Sequence, residues 1–377
     1  DVDVLAGYFE RDEIKWFEND GIRLFDERQV SSDAESPRCV VGADMDGDGD
    51  VDVLASLQLA DRIVWVENTC TVYPAPTPRP TRLCNEIVFS ETHVVDADMD
   101  SPTGVFAFDV DGDGDVDVLA ASAWDASVAW FEASEEGYER HDISDDADLS
   151  IGIVALDFDQ DGDIDVVWSA ATNDQVAWGE NDGSQSFTVR EITSTCAGCY
   201  SVDPVDVDGD ADYDVVSAAY EDGLVLMYLN DGYESFTESE VHCCNSGLVM
   251  AVAADVDGDM DVDVVIDAYW DNAVLWLEQD VEESFTPHVI TASIYRPYAT
   301  VQVVDLDGDD DIDIVEASSE HDELFWFEND GAESFSTVLI SNVTYNCRAL
   351  SVVDVDGDGD VDVLAGYFER DEIKWFE

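Results

Sequence analysis

Short apolar runs rich in Val, Ile, Leu and Ala recur along the chain, and acidic turns separate them in pairs. Val352-Val353 leads into DVDGDGDVD, Asp354 to Asp362, and Val363-Leu364 leads out of it. Runs this short and this β-branched predict strands, so the acidic turn joins two strands. The fifth repeat spells out a four-strand unit. Met250–Ala254 is strand one and Val264–Ala268 strand two; a turn at Asp271-Asn272 precedes strand three, Val274–Glu278, and strand four is Phe285–Ile290. Three repeats place Asn-Asp-Gly after strand three, at Asn181–Gly183, Asn230–Gly232 and Asn329–Gly331, a hairpin signal.

Copies of the turn begin at Asp44, Asp109, Asp157, Asp206, Asp255, Asp305 and Asp354, at intervals of 65, 48, 49, 49, 50 and 49 residues. Thirteen residues past the ninth position of each turn stands a large apolar residue: Trp65, Trp130, Trp178, Met227, Trp276, Trp326 and Trp375. An aromatic ring for a ligand is one reading of that register; packing between neighbouring sheets is the expected one. A four-stranded sheet repeated seven times at about fifty residues predicts an all-β, seven-bladed β-propeller.

The turns also carry candidate chemistry. Aspartates occupy positions 1, 3, 5, 7 and 9: Asp44, Asp46, Asp48, Asp50 and Asp52; Asp109, Asp111, Asp113, Asp115 and Asp117; Asp157, Asp159, Asp161, Asp163 and Asp165; Asp206, Asp208, Asp210, Asp212 and Asp214; Asp255, Asp257, Asp259, Asp261 and Asp263; Asp305, Asp307, Asp309, Asp311 and Asp313; Asp354, Asp356, Asp358, Asp360 and Asp362. Five like charges in nine residues repel one another without a counter-ion. An oxygen-only nest suits calcium, with position 7 offering its backbone carbonyl, and about seven ions per propeller are expected. Position 6 is Gly49, Gly114, Gly162 or Gly359 in four loops, where positive φ is expected. Ala211, Met260 and Asp310 stand there in the others, which predicts distorted or weaker sites.

The formal charge of −77 excludes nucleic acid and anionic membranes as partners. Acidity of this order often means disorder, but 46% hydrophobic content and ten Trp predict a packed core. No apolar run reaches membrane-spanning length. Eight Cys and loops that need millimolar calcium point to a secreted, disulfide-bonded protein. Cys70 is expected to pair with Cys84, and Cys196 and Cys199 to cross-bond with Cys243 and Cys244 in the neighbouring repeat. Cys39 and Cys347 should bond within the chain if it forms one isolated ring, or between copies in an array. Asn342, in Asn-Val-Thr, is a candidate glycosylation site, as are Thr77 and Thr81 in the alternating-proline stretch.

This pattern resembles the FG-GAP or VCBS repeats of calcium-binding propellers, the fold also found in integrin alpha-subunit heads. Leu364–Gly366 or Leu54–Ser56 stands where that family often has Gly-Ala-Pro. The resemblance implies calcium on the loop aspartates, and adhesion or ligand-binding scaffolds more often than enzymes.

Residues 1–18 are identical to residues 360–377, an offset of 359 that spans seven turns. A single closed ring is expected to have no room for both copies, which predicts a tandem or filamentous array. On that reading 1–69 end a preceding propeller, 70–84 are a Pro-rich linker, and 85–377 form the next propeller; a loop insertion within one ring is the alternative. His93, His141, His242, His288 and His321 form no catalytic order, and the aspartates recur where an active site would be unique, so no enzyme is expected. Varied strand-two-to-three tips, with Trp124 and Trp270, are candidate sugar or neighbour contacts. The expected function is an extracellular structural fibre or surface appendage built of copies of the chain. The alternative is a monomeric adhesion or carbohydrate-binding module with glycan partners.

Overall fold

The computed structural model describes residues 4–8, 13–17, 30, 35–70, 87–134, 136–233, 235–243, 247–280, 284–294, 297, 301–318, 321, 323–342, 347–353, 361–367 and 372–376. The chain opens with β1 (Val4–Tyr8) and β2 (Glu13–Phe17). Blade one is β3 (Pro37–Ala43), β4 (Asp52–Leu57), β5 (Arg62–Cys70) and β6 (Ile87–Asp96). Blade two is β7 (Pro102–Phe108), β8 (Asp117–Ser122), β9 (Val128–Ser134) and β10 (Gly137–Ser144). Blade three is β11 (Ser150–Leu156), β12 (Asp165–Ala170), β13 (Gln175–Asn181) and β14 (Phe187–Thr193). Blade four is β15 (Asp203–Val205), β16 (Asp214–Ala219), β17 (Leu224–Asn230) and β18 (Phe236–Cys243). Blade five is β19 (Leu248–Ala254), β20 (Asp263–Ala268), β21 (Ala273–Asp280) and β22 (Ser284–Thr291). Blade six is β23 (Gln302–Val304), β24 (Asp313–Ser318), β25 (Glu323–Asn329) and β26 (Phe335–Ser341). The last strands are β27 (Cys347–Val353), β28 (Asp362–Tyr367) and β29 (Glu372–Phe376).

Burial follows strand order. In all six blades strand two is buried at every position, and its sequence (DVVWSA, DVVIDA) is accordingly apolar on both faces. Strand four alternates exposed and half-buried residues at the rim, as in β14 and β22. The residue thirteen past each turn lies on strand three, and Trp65, Trp130, Trp178, Met227, Trp276 and Trp326 are all buried. Trp130 meets Phe187 of blade three edge-on at 6.3 Å, and Trp276 meets Phe335 of blade six in the same way. These side chains pack neighbouring sheets together. One apolar cluster joins Leu306, Val315 and Trp326 of blade six, Cys347 and Leu350 of β27, and Val40 and Val53 of blade one, so the ring closes.

The structure has six four-stranded blades where the repeats predict seven. The seventh repeat lies in a five-stranded sheet of order β1-β2-β29-β28-β27. The reason is the use of Ile87–Asp96. That segment pairs with β5 from Ile63–Asp96 to Cys70–Ile87, so it completes blade one. Residues 71–86 therefore connect strands three and four of one blade in this structure. The expectation that one ring has no room for both copies of residues 1–18 is not met: β1 and β2 join the sheet of β28 and β29 through Tyr8–Tyr367, Gly7–Glu372 and Glu13–Glu372.

The cysteine pairing also departs from expectation. Cys196 bonds to Cys199, three residues on, and not to the Cys243 and Cys244 pair; both sulfurs are buried between blades three and four. Cys243 is an exposed free thiol at the end of β18. Cys39 carries a free thiol and is not bonded to Cys347; it lies within 3.8 Å of the Val105 carbonyl, and burial pushes its pKa up. Cys84, Cys244, Thr77 and Thr81 lie outside the described residues, as does the side chain of Cys70. Among the described residues no helix is long and apolar enough to cross a membrane.

Trp130→Ala should cost about 3–5 kcal/mol of stability, read as a lower denaturant midpoint, because it empties the seam between blades two and three.

Candidate metal centres

Each acidic turn leaves strand one and re-enters at strand two, and one hydrogen-bond scheme recurs in all six described loops. The position-6 N–H donates to Oδ2 of the position-1 aspartate, for example Gly49 to Asp44 at 2.9 Å and Gly114 to Asp109 at 3.1 Å. The position-7 N–H donates to Oδ1 of position 5, as from Asp50 to Asp48 and Asp163 to Asp161. The position-5 N–H donates to position 3 in five loops, as from Asp113 to Asp111. These bonds fold the backbone inward beneath the carboxylates.

Position 9 anchors the turn. Asp52, Asp117, Asp165, Asp214, Asp263 and Asp313 are all buried. One oxygen of each accepts the position-2 N–H, and the other accepts an N–H sixteen residues on, at the end of strand three. In blade three these are Phe158 at 3.0 Å and Asn181 at 2.8 Å. Burial pushes the pKa up to about 7 for Asp52, Asp165 and Asp313, and to about 6 for Asp117, Asp214 and Asp263, against the pull of those hydrogen bonds. Position 3 is raised as well, at Asp46, Asp111, Asp159, Asp208 and Asp257, first by burial and then by neighbouring carboxylates. A cation would replace protons at these groups.

The predicted ligands converge. Carboxylate oxygens of Asp44, Asp46 and Asp48 lie within 4.8 Å of one another. The same holds for Asp206, Asp208 and Asp210, and for Asp255, Asp257 and Asp259. In two loops position 9 joins instead: Asp109, Asp111 and Asp117, and Asp157, Asp159 and Asp165. Oδ1 of Asp44 and of Asp157 is buried with no hydrogen-bond partner, so a position-1 oxygen is left for another electrophile. An all-oxygen set with an orphaned carboxylate oxygen fits a hard divalent cation. The position-7 side chains of Asp163, Asp212 and Asp311 instead lie over Gly183, Gly232 and Gly331, where a Cβ would meet them at about 2.4 Å or less. The seventh loop, Asp354, Asp356, Asp358 and Asp360, is outside the described residues, as is the side chain of Asp362.

The loops with Ala211 and Met260 at position 6 keep the whole scheme, and in the Asp310 loop only the Asp309 N–H departs, turning to Asp305 in place of position 3. Ala211, Met260 and Asp310 adopt φ of 78°, 77° and 73°, and their N–H groups reach Asp206, Asp255 and Asp305 at 3.0–3.1 Å. The site geometry is kept, and the cost appears as backbone strain in the left-handed region.

Two supports escaped the sequence reading. The Asn of Asn-Asp-Gly does more than turn the hairpin: Nδ2 of Asn181, Asn230 and Asn329 donates to the position-8 carbonyl of its own loop. A Trp-x-Glu spacing on strand three places Glu67, Glu132, Glu180 and Glu278 beside position 3, where they help raise its pKa. His93, His141 and His288 stack on Trp65, Trp130 and Trp276 and hydrogen-bond to Glu67, Glu132 and Glu278. Arg190 does the same with Trp178 and Glu180. The histidines are rim structure, visible in sequence as that spacing.

The loops of blades one, two and five also border the strand-three-to-four turn of the next blade; Gln185 Nε2 donates to Asp111 Oδ2 at 2.9 Å. Between blades one and two the Asn-Asp-Gly turn is absent. There the cleft reaches about 600 Å3, lined by Asp46, Trp65, His93 and Tyr138, against about 300–360 Å3 at two other seams. Trp124 and Trp270 are exposed at their tips, and Asn342 is exposed after β26.

The FG-GAP-like repeat model matches residues 109–168, 157–217 and 305–365, each span running from one position-1 aspartate into the next strand two. Residues 109–217 and 305–365 carry FG-GAP-like repeats. No curated protein matches the chain. Among solved structures, this propeller resembles a catalytically inactive virginiamycin B lyase from Staphylococcus aureus with quinupristin (12% identity, 93% of this chain and 98% of that one, TM-score 0.61). It also resembles a putative 6-phosphogluconolactonase from Bacteroides uniformis (12%, 90% and 97%, 0.59) and a functionally unknown protein from Desulfotomaculum acetoxidans (11%, 96% and 99%, 0.58). At such identities the likeness is one of fold alone.

Met260→Gly removes left-handed strain at an open surface site and should raise stability by up to about 1 kcal/mol, read as a higher urea midpoint in calcium buffer. Gly258→Ala, two residues back at φ 76° with open space around it, should lower the midpoint by a similar amount.

Proposed function

We propose that this chain belongs to an extracellular structural protein in which calcium-stiffened propellers follow one another as a fibre or cell-surface appendage, with copies of the chain as partners. The observation that carries the reading is the identity of residues 1–18 with 360–377, together with their shared place in one sheet. Two identical hairpins compete for one edge, so a hairpin from one propeller can complete the next. Each loop would hold one calcium through positions 1, 3, 5 and 9 and the position-7 carbonyl, about seven ions per propeller. The Cys196–Cys199 bond and the calcium-loop chemistry support an oxidising, calcium-rich location outside the cell. We read the chain as non-catalytic, because its carboxylates repeat in every blade.

The 600 Å3 cleft with its Trp65, His93 and Tyr138 wall favours a second reading, a discrete carbohydrate-binding adhesion module. Electron microscopy of the native assembly separates the two: the fibre reading expects long particles with a regular repeat. Discrete discs retained on a glycan column would replace it with the second. Chelation should lower the melting temperature strongly by freeing the clustered carboxylates to repel one another, and calcium should restore it. An unchanged melting curve, with the ion shown to be gone, would remove calcium from both readings.

A further inference from the structure

Two acids outside the loops are used by nothing described so far. Asp267 on β20 and Glu316 on β24 are both 0% exposed, and both oxygens of Asp267 and Oε2 of Glu316 have no hydrogen-bond partner. Only Oε1 of Glu316 is engaged, by the Ala317 N–H at 2.8 Å. Strand alternation places the two acids opposite one another. On β20, Val264 and Ile266 point into the cluster shared with blade four, so Val265 and Asp267 point towards blade six. On β24, Val315 and Ala317 point towards β27, so Ile314 and Glu316 point back at blade five. Asp267 is the one charge that acts on Glu316.

The same layer of the four seams among blades one to five contains no such pair. The corresponding residues are Ser56 and Ala120, Ala121 and Trp168, Ser169 and Ser217, and Ala218 and Ile266. Among the described residues, β19, β20, β21, β23, β24 and β25 carry no Lys, Arg or His, and His321, beyond β24, is exposed and lies 4.0 Å from Glu323. Those strands' other ionisable groups are Asp263, Glu278, Asp280, Asp313, Glu323 and Glu328, all acids; β27, with Arg348, packs on the far face of β24. Two carboxylates buried together without a cation cannot both be ionised at tolerable cost. A metal would need six or more oxygens, and the buried cluster on this seam is Val, Ile, Trp and Phe.

We propose that Asp267 and Glu316 meet across the seam between blades five and six as a carboxyl pair kept neutral by bound protons, a latch that ionisation at alkaline pH unfastens. Burial raises both acids well above the ordinary carboxylate range. The folded state thus binds these protons more tightly than the unfolded chain. The stabilisation is complete below the unfolded carboxylate range near pH 4 and is lost as pH rises through the raised folded values.

The test is thermal melting across pH 5 to 9 at saturating calcium, on the parent and on Asp267→Asn/Glu316→Gln. The parent should lose several degrees towards pH 9, and the double variant should melt higher than the parent at pH 9 with a flatter profile. At saturating calcium the parent-minus-variant infrared difference spectrum at pH 7 should show the C=O stretch of a protonated carboxylic acid. The single Asp267→Asn protein keeps Glu316 and should show a weaker band than the parent, so the test survives a double variant that fails to fold. Parallel pH profiles, a missing band, or a parent whose melting depends on added Na+, K+ or Mg2+ at constant calcium would overturn the latch.

Discussion

The structure rests on one buried carboxylate per blade. The position-9 aspartate binds the first turn of its loop with one oxygen and the far end of strand three with the other, as Asp165 does with Phe158 and Asn181. Two separate stretches of backbone are thereby fixed to the start of strand two, the most buried strand in the blade. A buried carboxylate is expensive unless its oxygens are filled by donors. Those donors are backbone N–H groups at the same two offsets in all six described loops, and the loop's remaining carboxylates gather above them.

The arrangement explains why side-chain identity in the loop varies at little cost to geometry. Ala211, Met260 and Asp310 take the same left-handed backbone that glycine takes in the other loops, because the position-1 carboxylate captures the N–H that follows from that conformation. The strain is local, and the anchor at position 9 resists it. The strand-three tryptophan packs on the neighbouring sheet, while the Glu two residues later reaches the loop and a strand-four His or Arg covers both. Loop, seam and rim are therefore one mechanical unit, and acidity at the loop is balanced in part at the rim.

Ring closure is governed by strand supply. Ile87–Asp96 serves blade one, which leaves β27–β29 to be completed by a hairpin of the same sequence as β28 and β29. A sheet that accepts its own duplicate accepts a duplicate from elsewhere by the same hydrogen bonds and the same apolar faces. The seam between blades five and six stands apart for a different reason: it buries Asp267 and Glu316 where the four seams among blades one to five bury Ser, Ala, Ile or Trp.

Local pattern alone determined the strands, the four-strand unit, the acidic loop between strands one and two, and the burial of the strand-three tryptophans. Each depends on neighbours within about fifty residues, where a period and a turn signal specify backbone and face. Tertiary structure decided the rest. Whether Ile87–Asp96 closes its own blade or another is a choice between equivalent edges, and no residue in that strand distinguishes them. The Cys196–Cys199 bond turned on the path between blades three and four. The meeting of Asp267 with Glu316 needed the ring itself, since strands 49 residues apart become opposing faces only when blades are laid side by side. Spacing along a chain encodes what each strand presents; only packing encodes what it is presented to.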